Sequence, residues 1–355
     1  MSAGSRPALE SARAAYREIT LYAPDRTPCA IDLSDNTNLW GAPPSAARAA
    51  RELATAALTR YPALYASELK GALAAYAGVQ PDEIVTGCGS DDVLDSSLRA
   101  FAEPGERIAY ADPTFAMVPV FARMNGLEPV GAPFAPDGDI DADALLAVDA
   151  RIIYLCSPNN PTGTPATRAA VERVLDRASG VVILDEAYAE FMGGGFLGEA
   201  PARGNLLVTR TMSKAFGLAG LRVGYATGAP ALVREVEKSR GPYKVSAVAE
   251  RAAAAVLRED MDWVGAQIAE ARTNRDRLGA ALRALGLAPL PSAANFLLVP
   301  VDDAARAARR LREAGVAVRP FAGLPAIGDA LRITVGPWSM MEALLRALPE
   351  AIACA

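Results

Sequence analysis

Four short runs constrain this chain most: "RIAYAD" (residues 107–112), "RIIYLC" (151–156), "VVILDE" (181–186) and "NLLVTR" (205–210). Each is apolar and rich in β-branched residues, the pattern of a strand buried on both faces. Between the second and third runs lies "ATRAAVERVLDRA" (166–178), with helical spacing. Strand, helix and strand at this spacing predict βα units, and so an α/β fold with a mainly parallel central sheet flanked by helices. Three of the runs lead straight into polar stretches: "CSPNNPTGT", "DEAYAEF" and "TMSKAFGLAGLR". Open α/β sheets take their ligands beyond the carboxyl ends of the strands. Asn160, Asp185, Tyr188, Ser213 and Lys214 are therefore expected to share one crevice.

After about Gly241 the texture changes. Two helical stretches, the second long, precede a strand "NFLLVPV", a helix "DAARAARRLREAG", short strands "VAVRP" and "LRITV", and a closing helix "SMMEALLRALPEAI". These predict a smaller α+β domain built from the C-terminal part and the N-terminal arm. The expected division is an arm over 1–40, a large domain over 41–243 and a small domain over 244–355. "SRGPYKV" (239–245) reads as a linker because it holds Gly and Pro. A length of 355 residues suits such a pair of domains, and 51% apolar residues suffice for a sizeable core.

A net charge of −5 argues against nucleic-acid and anionic-membrane partners, which call for a basic face. The four cysteines are scattered with no CxxC pair, so neither a disulfide framework nor a zinc site is expected. Histidine is absent, which excludes histidine triads and leaves acid–base work to Lys, Tyr, Cys or carboxylates. The first twenty residues lack an apolar signal core, and no run of about 18 apolar residues occurs. A soluble cytoplasmic protein is the expectation.

Lys214 is one of only four lysines and sits among small and apolar residues. A buried amine loses its charge easily and can form a Schiff base with an aldehyde. A buried Asp needs a partner, such as a protonated pyridine nitrogen. Ser213 and Arg222 suit a phosphate. Upstream, "VTGCGSDDVLDSSLRAF" (85–101) is a Gly-Ser turn opening a helix, whose free N–H groups make a second phosphate cradle. Amine, acid and phosphate sockets together describe pyridoxal 5'-phosphate (PLP), with no metal.

"SPNNPTGT", "ILDEAYAEF" and "TRTMSKAFGLAGLRVGY" resemble the signatures of fold-type I PLP enzymes, and among them the class I/II aminotransferases. The histidinol-phosphate aminotransferase branch is the most similar. "ITLYAPDRTP", "RYPALYASELKGALAAYAG", "TGCGSDDVL", "DPTFAM", "SAANFLLV", "GVAVRPF" and "LRITVG" fit it in order along nearly the whole chain. The resemblance implies that Lys214 is the Schiff-base lysine and proton carrier and that Asp185 pairs with the pyridine nitrogen. Tyr188 and Asn160 would hydrogen-bond the ring hydroxyl. Ser213, Arg222, Thr211 and the Ser90–Asp91 backbone would hold the phosphate, with Phe115 stacked on the ring. Tyr61 matches a tyrosine that reaches the neighbouring subunit's cofactor, which implies a homodimer with shared sites. Tyr22, Asn38, Arg319 and Arg332 fall on the substrate side, the two arginines receiving the substrate's anionic end. The implied reaction is ping-pong exchange of an amino group between histidinol phosphate and a 2-oxo acid, 2-oxoglutarate.

The stretch "DNTNLWGAPP" (35–44) departs from the family: Thr37 replaces the usual glutamate, Leu39 the usual proline, and Trp40 adds bulk. That keeps an aromatic amino-acid aminotransferase and a phosphothreonine decarboxylase-like enzyme open as alternatives. A non-enzymatic PLP-sensing domain fits less well, since it calls for a basic DNA-binding segment. On residue type alone, Asp185 could be a helix cap and "NNPTG" simply a turn. Arg332, in a strand, could be an exposed-face residue.

Overall fold

The computed structural model describes residues 12–353 except Glu18, Tyr22, Pro24, Arg26 and the Ala56 side chain. In chain order the strands are β1 (Ile31–Asp32), β2 (Ile84–Cys88), β3 (Arg107–Ala111), β4 (Glu128–Ala132), β5 (Ile152–Cys156), β6 (Val181–Asp185), β7 (Leu206–Thr211), β8 (Val223–Gly228), β9 (Phe296–Pro300), β10 (Val316–Ala317), β11 (Arg319–Leu324) and β12 (Gly328–Thr334). Seven of them form the main sheet in the order β2-β8-β7-β6-β5-β3-β4. Only β8 runs against its neighbours; every other pairing is parallel. The four apolar runs of the sequence are β3, β5, β6 and β7, at the centre of this sheet.

Strand alternation divides the buried residues between two faces. Ile152, Tyr154, Val181 and Ile183 pack with Leu94 and Leu98 of helix Gly89–Phe101 and Val118 of helix Met117–Met124. Ile153, Leu155, Val182 and Leu184 pack on the other face with Val171 and Val174 of helix Arg168–Arg177. A strand covered on both sides must be apolar at every position, which is why β5 and β6 read as continuous runs.

A second core surrounds the three-stranded antiparallel sheet β11-β12-β9. Leu297, Val299, Leu331 and Ile333 pack there with helices Ala304–Glu313 and Trp338–Ile352. The N-terminal side joins it: β1 pairs in parallel with β10, and Leu33 is fully buried in this core. "VAVRP", read as one strand, is divided between β10 and β11.

Packing continues across residue 243. Helix Ala247–Glu259 buries Ala249, Ala252, Ala253 and Val256 in the large sheet's core. In helix Met261–Ala284, Val264 and Ala271 belong to that core, whereas Leu278 and Leu282 belong to the second. We propose that the change of domain falls within this long helix and not at 243/244. The stretch expected as a linker is tied down: Arg240 is buried and bonds Glu237 and Asp92, and Lys244 also reaches Asp92.

Candidate active site

The register brings Cys156, Asp185 and Thr209 side by side on β5, β6 and β7. The polar stretches leave the sheet just beyond them. There the chain encloses a cavity lined by Ser90, Asp91, Phe115, Asn160, Asp185, Tyr188, Thr211, Ser213, Lys214 and Arg222, together with Cys156 and Ala187. Every cofactor-side residue expected from the sequence lies here except Tyr61. Alternation also explains the "DE" pair: Asp185 faces the cavity, while Glu186 points to the opposite face and bonds Arg210.

Burial, opposed by its hydrogen bonds, lifts the Asp185 carboxyl to about 6. Its Oδ2 accepts from the Tyr154 hydroxyl at 2.8 Å and its Oδ1 from the Ala187 amide at 3.1 Å. Lys214 Nζ donates to the carbonyl of Asp35 at 2.9 Å. Burial, reinforced by the positive charge of Arg332, lowers its amine to about 8, although Asp35 and Asp91 pull the other way. A neutral amine is thus within reach near neutral pH, the state that attacks an aldehyde. The Tyr188 hydroxyl accepts from Asn36 Nδ2 at 3.1 Å, and Asn160 Oδ1 accepts from Arg332 Nη1 at 2.6 Å.

At the other end of the cavity, β2 turns into helix Gly89–Phe101 at Gly89, whose φ is +82°. A Cβ at Gly89 would lie 2.6 Å from Arg222 Nη2, and one at Gly224 would lie 2.1 Å from the Ser90 amide nitrogen. Only glycine permits so close an approach. Arg222 itself adopts φ +53°, a strained conformation for a non-glycine residue, and its guanidinium reaches Ser213 Oγ at 3.5 Å and Asp91 Oδ2 at 3.2 Å. Helix-start amides, hydroxyls and a guanidinium converge as a phosphate requires. The acid, the amine and this cradle fit PLP. Among the described residues no cluster of His, Cys, Asp and Glu could hold a metal ion.

The substrate-side residues are more dispersed. Arg319 and Arg332 are register partners across β11 and β12. Arg332 is buried and also donates to the Ser34 carbonyl at 2.8 Å. Arg319 and Ser34 line a neighbouring cavity of about 640 Å³ with Ala116, Met117, Val120 and Met124. Asn38 lines neither cavity; its Nδ2 donates to the Ala215 carbonyl, in the turn after Lys214, and its Oδ1 accepts from the Trp40 amide. Trp40 packs against the large core. Tyr61 is 82% exposed and stacks on Tyr243 with ring centroids 4.8 Å apart, away from this chain's cavity. Tyr22 lies outside the described residues.

Three contributors were missing from the sequence reading: Tyr154, Asn36 and the Asp35 carbonyl. Tyr154 reads as one more apolar strand residue. Asn36 carried a usable signal, because it sits in the divergent stretch 35–44 and asparagine tolerates the φ of +55° it adopts. A backbone acceptor such as the Asp35 carbonyl leaves no trace in residue type.

Comparison with known proteins agrees with this geometry. Residues 29–348 match the family model described as aminotransferase class I and II. The chain is 39% identical to a histidinol-phosphate aminotransferase from Roseiflexus castenholzii, covering 90% of this chain and 89% of that one. It is 38% identical to an aromatic amino acid aminotransferase from Nocardia farcinica, covering 98% and 97%. Among solved structures it superposes on histidinol-phosphate aminotransferase from Sinorhizobium meliloti in complex with pyridoxal-5'-phosphate, with a TM-score of 0.85, 28% identity and coverage of 99% and 98%. No helix among the described residues is long and apolar enough to cross a membrane. With its amine, acid and phosphate cradle at the ends of a mainly parallel sheet, the chain belongs to the class I and II aminotransferases and is a PLP-dependent transaminase.

Proposed function

We propose that this enzyme transfers the amino group of histidinol phosphate to 2-oxoglutarate, giving imidazole-acetol phosphate and glutamate. The observation that carries this reading is the pair Arg319 and Arg332, in register on adjacent strands, with Arg332 bonded to Asn160 of the cofactor cavity. Two guanidiniums suit a dianionic phosphate better than one carboxylate, since each offers paired N–H donors. They also suit the distal carboxylate of a 2-oxo acid, so one pocket can serve both half-reactions. The histidinol-phosphate aminotransferases among the relatives support the assignment.

PLP supplies an aldehyde for the amine and an electron sink for the α-carbon. The proposed roles of the chain follow from its geometry. Lys214 would hold the cofactor; once freed, its Nζ would take the proton from the donor's α-carbon in the first half-reaction and deliver one to the α-carbon derived from the 2-oxo acid in the second. An amine lowered to about 8 can act in both directions near neutral pH. Asp185 keeps the ring nitrogen protonated. Tyr188 and Asn160 orient the ring hydroxyl, Phe115 covers the ring, and Thr211, Ser213, Arg222 and the Ser90–Asp91 amides hold the phosphate. Tyr22 and Asn38 are assigned to the substrate side.

A homodimer with shared sites belongs to the proposal. It is supported by the exposed Tyr61, with Leu58 and Leu64 also exposed beside it in sequence. Cys29, Cys88 and Cys156 are free thiols, as suits the cytoplasm.

A second reading, an aromatic amino-acid aminotransferase, is favoured by the apolar Met117, Val120 and Met124, which line the same cavity as Arg319, and by the Nocardia relative. Comparing kcat/KM for histidinol phosphate and phenylalanine decides between them. The proposal expects the phosphate donor to be better. It also expects Arg332→Ala to retain PLP but lose roughly 2–5 kcal/mol of transition-state binding, the scale for truncating one partner of a buried charge pair. A higher kcat/KM for phenylalanine, or an Arg332→Ala enzyme unchanged with histidinol phosphate, replaces it with the aromatic reading.

A further inference from the structure

Tyr154 lies on β5, two residues before the end of the strand, and is 1% exposed. Its hydroxyl donates to Asp185 Oδ2 at 2.8 Å. Against burial, which raises the Asp185 carboxyl, this bond is the largest influence favouring the charged form; the Ala187 amide, on Oδ1, adds less. A phenylalanine would fill the same apolar environment among Ile152, Ile183 and Val118 without carrying a buried hydroxyl. The hydroxyl is directed at the carboxylate that faces the cofactor cavity.

We propose that Tyr154 is a positioning residue: through its hydrogen bond it keeps Asp185 ionised and aimed into the cavity, so that Asp185 can hold a protonated ring nitrogen. The inference rests on the assignment of Asp185 to that nitrogen. Burial alone would drive Asp185 toward its neutral form, which cannot stabilise a cationic ring. A donor to one oxygen favours the charged form and fixes the plane of the carboxyl. Burial raises the phenol well above its ordinary range, so Tyr154 stays protonated and donates at every pH the enzyme meets. A histidine in that place would change its donor pattern near neutrality; this chain has none. The other titratable groups that bear on Asp185 are Cys156, beside it on β5, Tyr188, on the turn that follows β6, and Asp91, from the start of helix Gly89–Phe101. Burial lifts the Cys156 thiol and the Tyr188 phenol away from ionising, which leaves Asp91 as the charge that opposes Asp185.

The test is PLP affinity of the full chain, stripped and retitrated at pH 6.5 and 8.5, for the native protein, Tyr154→Phe, Asp185→Asn and the double variant. Losing a hydrogen bond to a charged group should weaken PLP binding by Tyr154→Phe about tenfold at pH 6.5. The defect should narrow by pH 8.5, where Asp185 ionises without help. In the Asp185→Asn background the Tyr154→Phe change should have no further effect. A loss equal at both pH values, a loss that persists beside Asp185→Asn, or failure of Tyr154→Phe to fold would make Tyr154 a packing residue and overturn the proposal. An impaired Asp185→Asn with an unaffected Tyr154→Phe also overturns it while leaving the Asp185 assignment standing. If Asp185→Asn binds PLP as tightly as the native chain at both pH values, the Asp185 assignment itself fails and the inference goes with it.

Discussion

Replacing Arg210 by Met probes what lies behind the site. On the sheet face opposite Asp185, Arg210 donates to Glu186 Oε2 from Nε and Nη2, at 3.0 and 2.7 Å, and to Glu190 Oε1 at 3.1 Å. The three side chains are only 9%, 1% and 4% exposed. Glu186 is fully used, since its other oxygen accepts from the Phe196 amide at 2.6 Å. Among the described residues, Glu190 Oε2 and the Tyr225 hydroxyl are buried with no hydrogen-bond partner within normal distance. Methionine keeps the apolar stem but leaves two buried carboxylates uncompensated, which costs about 3–5 kcal/mol. An unfolding entropy of about 2.1 cal/mol/K per residue, over this length, gives on the order of 0.75 kcal/mol/K, so the melting temperature should fall by about 4–7 °C. The pH dependence has a definite sign. Burial already raises both carboxyls above their ordinary value, and losing Arg210 raises them further. A carboxyl raised in the folded state contributes stability below its unfolded pKa of about 4.3, and that contribution is lost as pH rises. The Arg210→Met deficit should therefore be smaller at pH 5 than at pH 8 by calorimetry. Glu190→Gln should be nearly neutral, because it removes the surplus charge, whereas Glu186→Gln should be costly. An Arg210→Met chain melting within about 1 °C of the native protein at pH 8, or equal losses for the two glutamines, would refute the reasoning.

Three further outcomes follow from the site. The rate at which the stripped chain captures PLP, read by absorbance, should rise with pH through a midpoint near 8 and level off above it; a midpoint near the ordinary lysine value of 10.5 contradicts the assigned environment of Lys214. Arg332→Ala should move that midpoint upward, because a positive neighbour has been removed. Mixing inactive Lys214→Ala and Tyr61→Phe chains should restore part of the activity, since some hybrid dimers then carry both lesions in one site and an intact second site; no recovery, or a monomer in light scattering, counts against shared sites.

The centre of the fold was legible because β3, β5, β6 and β7 are buried on both faces and so apolar throughout. The edge was harder. β2 ends in "TGC", which has the composition of a turn, and nothing in "VGYATG" announces that β8 runs antiparallel. The site was legible where polar residues interrupt an apolar pattern at strand ends, as at Asp185 and Lys214. Tyr154 was not, because a tyrosine inside a buried strand has the same pattern whether its hydroxyl is idle or directed at a carboxylate. Gly and Pro in residues 239–245 suggest a linker by composition, but composition does not register that Arg240 and Lys244 fasten the chain to Asp92.

The most direct measurement of the central claim is borohydride reduction of the holoenzyme followed by peptide mapping. The account predicts stable pyridoxyl label on the peptide containing Lys214, the lysine whose amine donates to the Asp35 carbonyl inside the cavity. Lys70, bonded to Glu237, Lys238, bonded to Glu235, and Lys244, bonded to Asp92, should remain unlabelled. Label on any of those three with Lys214 unmodified would contradict it.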